Sequence, residues 1–301
     1  MRSHINKFSL IAAGMFSFLI FISYSESKDV TPTPTDVSDL PQIVRPPDIN
    51  QQFEWAGESM PLTADAKERL DRELIVNSYR HSVTMQHIKL ANRYFPVIEK
   101  ILLEHGIPDD FKYLAIAESD LRFVTSHANA RGFWQFRKLA AKERGLEVND
   151  EVDERFHVEK STKAACEYLL WLKRKFNTWT DAAAAYNIGP TRYKKEQERQ
   201  NESNYYNMNL NEETSRYIFR LMAIKEIQRN PEKFGFYLAP EEKYPPLDNY
   251  YEVVVDESVK NWGDFAHEHD ISYRDLKRYN PWLLDNHLTV IKNTYQIKIP
   301  R

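Results

Sequence analysis

The stretch "GIPDDFKYLAIAESDLRF" constrains the fold of this chain more than any other. Counted as a helix from Phe111, it puts Leu114, Ala115 and Glu118 on one stripe. Ile116 and Ala117 are apolar too, so the helix needs cover nearly all round. A carboxyl group in that setting is desolvated, which raises its pKa and keeps it protonated near neutral pH. A general acid needs that state. Taken alone, the segment also fits a Glu paired to an Arg or capping a neighbouring helix.

The surrounding pattern is helical from about Phe53 to Phe236. "ANRYFPVIEKILLEHGIP" sets Phe95, Ile98, Leu102 and His105 on one face and stops at Gly106 and Pro108. Asp109 or Asp110 is the expected cap of the Glu118 helix. "VEKSTKAACEYLLWLKRKF", "TDAAAAYNIG" and "NEETSRYIFRLMAIKEIQ" follow as further helices. The second of these is expected to be capped by Thr180 or Asp181 and to end at Gly189 and Pro190. "TRYKKEQERQNESNYYNMNLN" reads as a polar loop. Cys166, the only cysteine, sits on an apolar helix face and reads as a small core residue, so no intrachain disulfide exists.

After "APEEKYPPLDN" the character changes. "YYEVVV" reads as a strand, "VKNWGDFAHEHD" and "SYRDLKRYNPWL" as short helices, and "YQIKIP" as a closing strand. The expected organisation is a helical domain over 51–245 and a small βααβ module over 250–301. Upstream, 29–50 is a Pro-rich linker. Residues 1–28 carry Arg2 and Lys7 before an uncharged apolar run, the signature of an export signal. That run is also near the length of a spanning anchor, so a cleaved signal and an uncleaved membrane anchor both remain open. The expected location is the periplasm or cell envelope. Net charge is only −3, which leaves no electrostatic footprint for nucleic acid. Metal-binding spacings, a nucleophile elbow and phosphate-cradling glycine loops are absent from the sequence, so neither metal nor cofactor is implied.

Two short motifs complete the reading. "ARGFWQF" carries Gly132, Phe133, Trp134 and Gln135, and "AAAAYNIGP" ends a featureless helix in Tyr186 and Asn187. Glu118-Ser119, Gly132-x-x-Gln135 and Ala185-Tyr186-Asn187-x-Gly189, in that order, resemble the soluble lytic transglycosylase domain, a relative of goose-type lysozyme. The flanks "FPVIEKILLEHGIPDDFKYLAIAES", "STKAACEYLLWLKRKF" and "ETSRYIFRLMA" resemble the membrane-bound lytic murein transglycosylase D branch. The sequence departs from that pattern after Gln135, where "QFRKLAAKERGL" lacks the usual Pro turn, and at "YNIGP". The tail resembles a LysM module, although "VDESV" lacks the usual Gly.

The resemblance implies a mainly α, lysozyme-like domain acting on peptidoglycan glycan strands. It implies Glu118 as the single general acid and base, making 1,6-anhydromuramyl products with help from the sugar's own acetamido group. It implies that Ser119 and Gln135 bind the sugar or orient the Glu. Tyr186 would lie close to Glu118, Asn187 would hold the groove wall, and Trp134 would offer a face to a sugar ring. A water-using muramidase and a non-catalytic peptidoglycan-binding protein are the rival readings. The LysM-like module is expected to tether the enzyme to the polymer.

Overall fold

A computed structural model describes residues 46–301. The expected signal or anchor, and most of the expected linker, lie outside the described residues.

The fold is mainly helical. It begins with a two-residue hairpin, β1 (Glu54–Trp55) and β2 (Glu58–Ser59), that the sequence pattern does not reveal. Ala56 and Gly57 make its turn with φ of 52° and 78°, the positive pair such a tight hairpin requires. The hairpin inserts Trp55 edge-on against Phe111, with ring centroids 5.3 Å apart. Helices α1 (Ala64–Tyr79) and α2 (His81–Glu104) follow. As expected, α2 stops at Gly106, which takes φ of 65°, and the Ile107 N–H returns to the Leu102 carbonyl.

A 3₁₀ turn over Asp109–Phe111 then leads into α3 (Lys112–Ser119), the helix that carries Glu118. Neither Asp109 nor Asp110 caps it, contrary to expectation, because Phe111 occupies the N-cap position. Asp110 is buried and pairs with Lys225 at 2.7 Å while accepting the Ala56 N–H, so it ties the hairpin to a later helix. Leu114, Ala115 and Ile116 are all fully buried, which is the cover the sequence demands.

Next come α4 (Lys138–Lys142), a 3₁₀ turn over Glu154–Phe156, α5 (Val158–Phe176) and α6 (Trp179–Ile188). Four consecutive alanines, Ala182 to Ala185, are fully buried in α6. Their small side chains let α6 lie close to its neighbours, which include α5. Its cap is Thr178, whose hydroxyl accepts the Asp181 N–H, and not Thr180 or Asp181. The hairpin completes this start: the Glu58 carboxylate accepts the N–H groups of Trp179 and Thr180, which Thr178 leaves unpaired. Burial pushes the Cys166 thiol on α5 up to about 12, as suits a core residue.

The segment read as a polar loop contains a helix, α7 (Pro190–Gln200). It buries only Tyr193, so no apolar stripe announces it, and its Lys, Glu, Gln and Arg residues favour helix by propensity. Pro190 fits its first turn. Helix α8 (Glu212–Arg229) closes the helical shell, packing on α1, α3 and α6.

The tail is the expected βααβ unit: β3 (Tyr250–Val255), α9 (Trp262–Glu268), α10 (Tyr273–Tyr279) and β4 (Tyr295–Pro300). The strands are antiparallel, with Tyr250 opposite Pro300 and Val255 opposite Tyr295. Buried Asn280 fastens α10 to β4, donating to the Lys298 carbonyl and accepting the Lys298 N–H. The unit joins the helical shell through main-chain bonds, Asp153 N–H to Trp282 carbonyl at 2.9 Å and Leu284 N–H to Glu151 carbonyl at 2.8 Å. Val152 and Phe156 of the shell share its apolar cluster with Trp262, Leu276, Leu283 and Ile297.

Candidate active site

Glu118 lies in the last turn of α3 and keeps a partly accessible edge. The chain then leaves the helix abruptly: Asp120 and Leu121 take φ of 56° and 53°. Such left-handed residues cost about 1 kcal/mol or more each and persist where their surroundings hold them. Here Asp120 bonds His87 at 2.8 Å, and Leu121 is buried. The His87 bond also keeps the Asp120 carboxyl below its ordinary pKa. Asp120 is thus a structural anion, and its carboxyl faces a His and Arg122.

The Glu118 carboxyl has very different company. Burial pushes its pKa up from the ordinary 4.5 to about 7, against the opposing pull of the Tyr217 hydroxyl. Glu213 pushes it further up, and Arg220 pulls it down. Tyr217 donates to Oε1 at 2.5 Å. With Oε1 occupied as an acceptor, the transferable proton of the acid form sits on Oε2. Tyr217, Glu213 and Arg220 all belong to α8, spaced along one face of that helix. Sequence reasoning did not single them out; the signal available was their spacing within "EETSRYIFR". Arg216 and Arg220 in turn pair with the buried Glu73 of α1, which fixes the rotation of α8.

The Gly132–Gln135 loop forms the next part of the site. Gly132 takes φ of 75°, and a Cβ there would lie 1.9 Å from the Arg155 carbonyl oxygen. Only glycine fits. Gln135 also has positive φ, 47°, and its Nε2 donates to the Gly132 carbonyl at 2.8 Å. The loop is held from behind by Arg155, whose guanidinium donates to the carbonyls of Asn129 and Phe136. Asp153, buried, grips Arg155 and Arg131 together.

The expected site residues therefore divide. Tyr186 is beside Glu118: burial, and with it the nearby Glu118 carboxylate, raises the Tyr186 pKa well above 10.0. Its hydroxyl donates to the Trp134 carbonyl at 2.6 Å, linking α6 to the Gly132–Gln135 loop. Asn187 bridges to α8, accepting from Thr214 and donating to Glu213. Two expectations need correction. Ser119 is buried, and its hydroxyl lies against the carbonyls of Ala115 and Phe133 at 2.9 and 3.1 Å, so it joins α3 to the loop without facing a ligand. Trp134 is 1% exposed and its indole N–H donates to Thr162, so its ring offers no face to a sugar. Phe133 is equally buried, stacked on Phe123 at 4.8 Å.

The site thus presents a desolvated carboxyl, with no cation in contact among the described residues, at the end of a short buried helix in a helical shell. Residues 97–209 match the transglycosylase SLT domain family, and 251–301 match the soluble lytic transglycosylase C-terminal LysM-like domain. The chain carries both domains, and Glu118, Gln135, Tyr186 and Asn187 all lie in the first. Over 175 residues it is 29% identical to membrane-bound lytic murein transglycosylase D of Escherichia coli strain K12, covering 56% of this chain and 38% of that protein. The protein of the same name from Escherichia coli O6:H1 gives the same figures. A putative tributyltin chloride resistance protein of Alteromonas sp. strain M-1 is 28% identical over 116 residues, 38% of this chain and 56% of that protein. The chain thus spans less than two thirds of the length of these relatives.

Proposed function

We propose that this protein is a lytic transglycosylase of the cell envelope that cleaves the bond between N-acetylmuramic acid and N-acetylglucosamine in peptidoglycan. The observation that carries the reading is Glu118: a carboxyl whose pKa burial raises to about 7, set within the stretch that matches the SLT domain, with no contacting cation among the described residues. Near neutral pH such a group exists in both forms, so one residue can give a proton and then take one. Glu118 protonates the glycosidic oxygen and the bond from C1 to that oxygen breaks. The 2-acetamido oxygen stabilises the cationic centre. The ionised Glu118 then removes the proton of the muramyl 6-hydroxyl, whose oxygen closes on C1 as a 1,6-anhydro ring. The proton returns to Glu118 and no water is consumed. Gln135, Tyr186 and Asn187 shape the groove around that acid, and the LysM-like domain supports a glycan polymer as the substrate.

One observation favours a second reading. Glu213 is exposed, lies close enough to raise the Glu118 pKa, and stands at the start of α8. A second carboxylate is what a hydrolytic muramidase uses to activate water. Mass spectrometry of products from purified peptidoglycan separates the two. Anhydromuramyl ends are expected, in wild type and in Glu213→Gln alike. Reducing ends, lost in Glu213→Gln, would replace the lytic reading by the hydrolytic one, and no release of fragments would remove both.

A further inference from the structure

Helix α8 is buried nearly all round. From Tyr217 to Lys225 every residue except Arg220 is buried, a stretch of more than two turns. Tyr217, Ile218, Phe219, Leu221, Met222 and Ile224 thus place apolar side chains on every side of it. Apolar burial is non-directional, so it does not by itself choose one rotation of such a helix about its axis. The candidate site needs one rotation. It requires the Tyr217 hydroxyl on Glu118 Oε1, where it lies at 2.5 Å. A group roughly 6 Å from a helix axis moves about 1 Å when the helix turns by about 10°, which is enough to loosen a hydrogen bond.

A buried carboxylate that the reaction does not use supplies the choice. Glu73 of α1 is fully buried. Its Oε1 accepts from Arg216 Nε at 2.5 Å, and its Oε2 lies 3.5 Å from Arg220 Nε. The two arginines stand about one turn apart on α8 and bracket Tyr217. Held at two levels, the helix can neither rotate nor slide freely. The other polar ties lie to either side: Thr214 donates to Asn187 at 2.8 Å in the first turn, and Lys225 pairs with Asp110 at 2.7 Å nearer the far end. Glu73 holds the turn that carries Tyr217. A buried ion pair often adds little net stability, because both partners lose their water, but it is satisfied in one arrangement of its elements.

We propose that Glu73 is a positioning residue for the cleavage reaction: by clamping Arg216 and Arg220 it sets the rotation of α8 that brings the Tyr217 hydroxyl onto Glu118. This inference rests on the cleavage reading above. From its fully buried place Glu73 reaches no substrate, and its effect on the rate passes through Tyr217.

A double-mutant cycle tests the clamp. In Glu73→Gln, kcat on soluble glycan should fall about tenfold while KM stays within about twofold, because a slightly misplaced group loses rate more than binding. In the Tyr217→Phe background the same change should lower kcat by less than about twofold, since the contact it positions is already gone. Losses that multiply in the double variant, or no loss in the single one, would overturn the proposal and leave Glu73 a support of the fold alone. Where Glu73→Gln folds poorly, Arg216→Gln loosens the same clamp from its more accessible side and should give the same pattern. A second readout needs no cleavage. In proton NMR the Tyr217 hydroxyl proton, held on the Glu118 carboxyl, is expected as a downfield signal that is absent from Tyr217→Phe. That signal should be lost from Glu73→Gln and Arg216→Gln at an otherwise unchanged fold. Its persistence in both would overturn the clamp, even if the wild type released no glycan fragments.

Discussion

Two glutamates of this chain sit in comparable confinement and titrate in opposite directions. Glu118, in the groove, is pushed up to about 7 because burial acts with only a neutral hydroxyl and a distant arginine against it. Glu159, at the joint between shell and module, also suffers burial, yet the His157 and Lys298 beside it hold its carboxyl down to about 2. Burial alone therefore does not make an acid catalyst. What separates the two regions is whether the fold supplies a cation at contact distance. The groove withholds one and gains a group that can exchange a proton. The joint supplies Lys298, with the His157 ring beside it, and gains a rigid seam.

The largest effect that tests this contrast is at Glu118 itself. Glu118→Gln keeps the shape and the Tyr217 contact but cannot transfer a proton, a function worth about 10²–10⁴-fold in rate. Release of soluble fragments from sacculi should fall by at least that factor, with the melting temperature held or raised. Glu159→Gln should cleave at nearly the wild-type rate. Substantial turnover in Glu118→Gln would move the acid elsewhere and dissolve the comparison.

The joint is tested by removing the module near Asn249. The sequence suggests a tether, which would leave cleavage of short soluble glycans intact and reduce only activity on sacculi. The structure favours a brace. The module pairs its main chain with Glu151 and Asp153, and Asp153 grips Arg155, which holds the Gly132–Gln135 loop. Truncation also exposes Val152 and Phe156. We expect the melting temperature to drop by more than about 5 °C, at about 2–4 °C per kcal/mol for a domain of this size. Activity on both substrates should fall together. An unchanged melting temperature with loss confined to sacculi would restore the tether.

Much of this was legible in the sequence because it lay in periodic apolar patterning. The buried α3, the stop at Gly106 and the βααβ tail all announce themselves in that way. Glu118 was legible as an exception to its own helix. What escaped notice lies in contacts between distant segments. The α6 cap falls at Thr178, earlier than the pattern suggests, where the Glu58 carboxylate of a distant hairpin also accepts the N–H groups of Trp179 and Thr180. Tyr217, which touches Glu118, stands 99 residues away in the chain and reads as an ordinary core aromatic. Trp134 and Ser119 look like groove residues by motif, yet their polar atoms face the protein interior.

The two carboxyls should also divide the pH dependence of stability. A folded pKa raised from 4.5 to about 7 makes Glu118 contribute most below pH 4.5, and that contribution is lost as pH rises towards 7. A folded pKa lowered to about 2 makes Glu159 contribute above pH 4.5, and that is lost as pH falls towards 2. At 1.36 kcal/mol per unit each is at most about 3.4 kcal/mol, reduced by the accessible edge of each group. Urea midpoints of wild type, Glu118→Gln and Glu159→Gln between pH 3 and 8 read this out. Glu118→Gln should gain on wild type as pH rises from 4.5 to 7. The deficit of Glu159→Gln should shrink as pH falls below 4.5. Parallel curves for the two variants would mean that their surroundings do not differ as described.

The smallest expected effect concerns the hydroxyl that separates Glu118 from full isolation. Tyr217 is 1% exposed, and Tyr217→Phe removes only its oxygen, so the ring still fills its place in α8. Its hydroxyl bonds the ionised carboxyl best and therefore lowers the Glu118 pKa. Without it the acid form persists to higher pH, and the alkaline limb of the rate profile should move up from about 7. The rate near pH 6 should fall by about tenfold, since a hydrogen bond to a charged group is worth about 1.5–3 kcal/mol and part of it is replaced by solvent at the accessible edge. The shift and the loss have one origin: Oε1 is no longer held, so the proton on Oε2 is no longer aimed. A limb that moves down, or one that stays fixed while the rate falls, would show that Tyr217 acts on the sugar and not on the acid.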